Sequence, residues 1–155
     1  MKNYFTKALL LVCLSSVAAI ALAKDVSTDI IKKESVYTVK ETMDKFESLI
    51  KSKGLTVFAR IDHAKNAAGV DMQMNDAEVI IFGNPKGGTL LMKNDVAVAL
   101  DLPLRVAVYK DNDGKVWISY HNPQALKTNY KISKGVKVLD KVEGALDKLT
   151  TAVSK

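Results

Sequence analysis

The sequence predicts an α+β domain: an antiparallel sheet of about five strands with helices packed on one face. Three observations carry that expectation. Leu104 to Tyr109 and Val116 to Tyr120, rich in β-branched and aromatic residues, read as strands that flank Asp111-Asn112-Asp113-Gly114, a hairpin turn that makes them antiparallel. Earlier in the chain, Leu55 to Ile61 alternates and Ala77 to Phe82 reads as a third strand, so strands follow one another with only short inserts. Near the end, Leu139, Val142, Leu146, Leu149 and Val153 recur every three or four residues, an amphipathic closing helix. A doubly wound parallel sheet would need strand and helix to alternate throughout, and residues 104–121 break that rhythm.

In order, residues 1–23 read as a secretory signal peptide. Lys2 and Lys7 give a basic start, Ala8 to Ala23 carries no charge, and Ala21-Leu22-Ala23 offers small residues at the peptidase positions. The 16 uncharged residues are rich in Ala and Ser and are fewer than the ~20 apolar residues of a membrane span. Val12 before Cys13 does not suit lipoprotein cleavage. Cleavage after Ala23 would leave a periplasmic or secreted protein with no membrane span. Residues 24–34 read as a flexible lead-in, and residues 35–155 as a single domain.

Within that domain, Val36-Tyr37-Thr38-Val39 is β-branched and aromatic and reads as the first strand. Thr42 can cap a helix with Asp44 in its first turn. Met43, Phe46, Leu49 and Ile50 share one face of it, and Gly54 stops it. In the second strand, Leu55, Val57, Ala59 and Ile61 point one way and Thr56, Phe58 and Arg60 the other. Asp62 stands where an N-cap would before His63-Ala64-Lys65-Asn66-Ala67-Ala68, and Gly69 where that helix would end. Thr89 can cap a short helix through Met92, Asp95 another over Val96 to Leu100, and Asn122-Pro123 starts a helical turn.

Composition narrows the function classes. With residues 1–23 set aside, no cysteine remains, which excludes disulfides, thiolate metal sites and cysteine nucleophiles. The remaining 132 residues suffice for one core that buries roughly two-thirds of the unfolded surface. Without Lys2 and Lys7, 21 basic residues face 17 acidic ones, a charge of +4 spread along the chain. No basic patch with interleaved aromatics marks a nucleic-acid surface.

One stretch organises the rest: Ile80-Ile81-Phe82-Gly83-Asn84-Pro85-Lys86-Gly87-Gly88-Thr89-Leu90-Leu91-Met92, a strand, a turn with three glycines, and a short helix. Together with Gly54 to Ala64, Asp101-Leu102-Pro103-Leu104-Arg105-Val106 and Asp113 to Tyr120, it resembles the domain of unknown function 302 family. The motifs occur in the family's order from about Val36 to Val153. The resemblance implies a compact β-α-β(4)-α domain related in shape to the TATA-binding-protein fold. It implies no activity.

Several constellations could carry chemistry. Gly83 to Thr89 has glycines spaced as in a phosphate-binding loop, but Gly88 stands where the lysine before Thr89 should be, so nucleotide hydrolysis is not expected. A milder site is open: Asn84, Lys86, Gly87, Gly88 and Thr89 could hold a carboxylate or phosphate through backbone amides and the Lys86 cation. The alternative is a structural turn whose glycines reach positive φ. Asp62 and His63 are candidates for acid-base work, with Arg60 near enough in sequence to neutralise Asp62; a helix cap and a surface histidine explain both without chemistry. Tyr120 and Trp117 have opposite parity, so one faces the core and the other the uncovered sheet face. No metal site is expected, because His63 and His121 should lie at opposite sheet edges, and no cofactor motif is present. Two classes of function remain. One is a non-catalytic domain that binds a small anionic or apolar ligand at Arg60, His63, Tyr120 and the glycine turn, or a protein partner such as a second copy. The other is a small enzyme using Asp62 and His63, with Gly83 to Thr89 holding an anionic substrate.

Overall fold

Five strands, β1 (Ile30–Ser35), β2 (Thr56–Asp62), β3 (Ala77–Gly83), β4 (Leu104–Lys110) and β5 (Val116–His121), form one antiparallel sheet in the order β1-β5-β4-β3-β2. This is the expected α+β architecture, seen in a computed structural model that describes residues 29–133 and 137–155. The signal-peptide assignment and residues 24–28 of the lead-in lie outside the described residues. Among the described residues five α-helices, α1 (Val39–Ser52), α2 (His63–Ala68), α3 (Pro85–Met92), α4 (Leu126–Asn129) and α5 (Lys137–Ser154), and the 3-10 turns Val96–Leu100 and Pro123–Ala125 complete the fold.

The first strand lies earlier than the sequence suggests, in residues read as lead-in. Its inward positions are Ile31, Lys33 and Ser35, which conceal the strand because two of the three are polar. Both polar groups are satisfied: Lys33 Nζ donates to Asp147 Oδ1 at 2.7 Å and Thr151 Oγ1 at 2.6 Å on α5, and the Ser35 and Thr42 hydroxyls bond at 2.8 Å. Val36 to Val39 is not a strand because Thr38, rather than Thr42, caps α1. Its hydroxyl accepts from Glu41 N at 3.2 Å while the Glu41 carboxylate accepts from Thr38 N at 3.0 Å, a reciprocal capping box. Thr42 is buried one turn into the helix.

The sheet's helix-covered face carries the main core. Met43, Phe46 and Ile50 of α1 and Leu146, Leu149 and Val153 of α5 pack on Ile80, Phe82, Val106, Val108, Ile118 and Tyr120. Phe46 meets Phe82 edge to face, with centroids 5.4 Å apart. Leu91, Val98, Leu126, Ile132 and Leu139 form a smaller second cluster, and α5 contributes to both. The helix α5 thus ties the sheet core to the segment around α3.

A bulge in β2 reverses its second half. Val57 pairs with Phe82 but Ala59 pairs with Ile81, leaving Phe58 as the extra residue. Leu55 and Val57 therefore face the core as expected, whereas Arg60, and not Ala59 or Ile61, turns toward the helices. The hairpin turn closes on Gly114 at φ +82°, and Gly54 follows α1 at φ +71°, both in the region that favours glycine.

Candidate ligand cavity beside α3

The organising glycine stretch folds as a helix rather than as an open turn. Asn84 is the N-cap: its Oδ1 accepts from Lys86 N at 2.9 Å and Gly87 N at 3.2 Å, and its carbonyl accepts from Gly88 N at 2.9 Å. Pro85 takes the first helical position, where its missing N–H costs nothing. Thr89, expected as the cap, sits inside the helix. None of Gly83, Gly87 and Gly88 has positive φ, so turn geometry does not explain them.

Between α3, the Ala99 to Leu104 segment, α4 and the first half of α5 lies a cavity of about 330 Å³. Gly83, Asn84, Gly87, Gly88 and Thr89 of the predicted site line it, so the stretch does border a concave surface. The other walls come from distant parts of the chain: Phe58, Leu91, Met92, Leu102, Leu126 and Val142 among them. Among the described residues no charged side chain lines the cavity, and Asn84 and Thr89 carry its polar side-chain oxygens and nitrogen.

Two observations bear on the anion-site expectation. Lys86 is exposed and is not part of the lining. The amides of Lys86 and Gly87 are already satisfied by Asn84 Oδ1, so an anion would have to displace the cap.

The remaining candidates are not brought together. Tyr120 is 4% exposed and belongs to the core. Asp62 caps α2, accepting from Lys65 N at 2.9 Å, and His63 is exposed at the start of that helix. Arg60 does not pair with Asp62. Its Nε donates to Glu78, and its Nη1 to Asp44 Oδ1 at 2.6 Å and Glu47 Oε2 at 3.0 Å. The carboxyls of Asp44 and Glu47 are held below their ordinary values, chiefly by Lys40 and Lys51 respectively and then by Arg60. Those contacts join β2, β3 and α1.

Strand register also separates Asp62 and His63 from the glycine stretch. Asp62 stands opposite Glu78, and Gly83 opposite Thr56. Five strand residues at about 3.4 Å each put the two groups roughly 17 Å apart at opposite ends of the sheet. One acid-base site cannot use both. His63 and His121 end strands that run in opposite directions with two strands between them, and among the described residues no group of three or more His, Cys, Asp or Glu is placed to hold a metal. Trp117 faces away from the core, and its Nε1 donates to Asp111 Oδ2 at 2.7 Å across the hairpin.

The hydrophobic walls Phe58, Met92, Leu102, Leu126 and Val142 were not identified as site residues from the sequence, because they come from separate segments and no local pattern joins them. The available signal was Asn84-Pro85, an N-cap followed by the first helical proline, which would have placed α3 earlier and Gly87 and Gly88 on its surface.

Comparison with known proteins agrees with this fold. The model of the domain of unknown function DUF302 matches residues 31–149. A crystal structure of an uncharacterized conserved DUF302 protein from Bacillus stearothermophilus superposes with a TM-score of 0.66 at 17% identity, covering 83% of this chain and 97% of that one. Two fluoride-specific ion channel FluC 1 proteins, of Brucella suis and Brucella abortus, are 34% identical over 111 residues, 72% of this chain. The matched region covers 44% and 41% of those proteins, so the chain spans less than half their length. Among the described residues no helix is long and apolar enough to cross a membrane. With the family model spanning most of its length and the described fold matching, the chain belongs to the DUF302 family.

Proposed function

We propose that this domain is a non-catalytic binding module that takes a small, mainly apolar molecule in the cavity beside α3. The observation that carries the reading is a cavity of about 330 Å³ that no charged side chain lines among the described residues, walled by Leu, Val, Met and Phe side chains from five parts of the chain. That volume is within the range of small-molecule sites, and apolar walls with a few polar groups are their usual make-up. A non-catalytic role is supported by the use of Asp62 as a helix cap and by the distance of His63 from the cavity.

Of the anionic and apolar ligands left open by the sequence, the apolar one is favoured because the Lys86 cation is outside the lining. Ion conduction is named for the longer Brucella relatives, of which this chain matches less than half, and it is not carried over. We also propose that residues 1–23 direct export and are removed after Ala23, on the charge-free run and the small residues at its end.

Native mass spectrometry of the protein purified from its own host tests the binding reading. The expected spectrum shows one chain with a bound small molecule that extracts into organic solvent. A ligand-free dimer would instead favour a protein-partner role, and a bound mass that is charged and remains in water would contradict the apolar site.

A further inference from the structure

We infer that Gly87 and Gly88 are glycines in order to hold the cavity open, and that its occupant is an uncharged molecule whose apolar body lies against the bare backbone of α3. The inference rests on the cavity being a binding site.

Both glycines are the third and fourth residues of an eight-residue helix, where glycine is the weakest helix former after proline. The usual reasons for glycine are missing. Neither residue has positive φ, so no left-handed backbone requires it. Nor does close packing: a Cβ on Gly87 would meet Asn84 Cβ at 3.9 Å, and one on Gly88 would meet Leu102 Cδ1 at 3.8 Å, both ordinary van der Waals contacts. Alanine would fit at both positions and favour the helix. What the two positions share is that they line the cavity, where an added methyl group takes up ligand space.

The lining also sets the ligand's chemistry. A charged group brought inside would lose its hydration and meet no opposite charge among the described walls. A single hydrogen-bonding group at the Asn84 and Thr89 edge can be matched by the polar side chains there. The occupant is therefore a neutral apolar compound with at most a small polar end.

Two probes of nearly the same shape test this: N-phenyl-1-naphthylamine, which is neutral, and 8-anilinonaphthalene-1-sulfonate, which adds one negative charge. Each is titrated by fluorescence into the purified protein and into Gly87→Ala, Gly88→Ala and the double variant, with melting temperature measured for each. The neutral probe should bind the parent protein roughly tenfold more tightly than the sulfonate. Each alanine should hold or raise the melting temperature while weakening the neutral probe by roughly tenfold, the effect of one methyl group crowding an apolar pocket. Parent protein that does not bind the neutral probe would overturn the cavity reading itself. Tight binding left unchanged in the double variant, or a melting temperature that falls with either alanine, would overturn the role of the glycines alone. Equal or tighter binding of the sulfonate would overturn the uncharged ligand class.

Discussion

Arg60 Nε donates to the Glu78 carboxylate on the neighbouring strand, so the edge strand β2 is fastened to β3 on its helix-covered side. The same guanidinium reaches Asp44 and Glu47 on α1. Its side chain is 24% exposed and that of Glu78 11%, so the pair is partly withdrawn from water and screened less than a surface ion pair.

Arg60→Met should therefore destabilise the fold, by about 2–3 kcal/mol, because it leaves the Glu78 carboxylate without its partner near the core. Arg60→Lys should recover only part, since one ammonium cannot reproduce the guanidinium fork that serves three carboxylates. Urea unfolding of the three proteins decides it. A loss below about 0.5 kcal/mol for the methionine variant would assign the network to the solvated surface.

Acid should weaken the protein in a predictable window. Asp44 and Glu47 titrate lower in the folded chain than unfolded, because Lys40, Lys51 and Arg60 favour their charged forms. The unfolded chain then binds more protons, so their contribution is complete above the ordinary carboxylate range and disappears as pH falls through their lowered values. Melting temperature should fall as pH drops below about 5, and less steeply in Arg60→Met, where one of the causes is removed. An unchanged slope in that variant would mean that Lys40 and Lys51 carry the whole effect.

Asn84→Ala should cost about 1 kcal/mol, as both cap bonds to Lys86 and Gly87 are lost at once. Lys86→Ala should leave both stability and N-phenyl-1-naphthylamine binding unchanged, since Lys86 is exposed and outside the cavity. Weaker probe binding in Lys86→Ala, reproduced by added salt, would restore the anion-site reading.

Export has its own check. N-terminal sequencing of protein recovered outside the cytoplasm should begin at Lys24, and a sequence beginning at Met1 would contradict the signal-peptide proposal.

What the sequence made legible followed from local physics. The hairpin at Gly114, the Asp62 cap of α2, the Asp95 cap of the following 3-10 turn and the apolar stripe of α5 were all readable from residue type and spacing. Three features were not. The strand β1 hides its alternation because Lys33 and Ser35 face inward and are satisfied by α5 and Thr42, contacts made only after folding. The Phe58 bulge is invisible to strict alternation, and it sends Arg60 to the other face. Adjacent Gly87 and Gly88 read as a turn, yet Asn84 and Pro85 nucleate a helix through them. The cavity was legible only on its α3 side, because Phe58, Leu126 and Val142 meet there from segments far apart in the chain.

The central claim, that the cavity beside α3 is a ligand site, is tested most directly by methyl NMR of the protein during titration with N-phenyl-1-naphthylamine. The account predicts saturable shifts of the Leu91, Leu102, Leu126 and Val142 methyl signals, all from cavity walls, with those of exposed Val36, Val70 and Val96 unmoved. Shifts confined to the exposed valines, or no saturable shift at any cavity methyl, would contradict it.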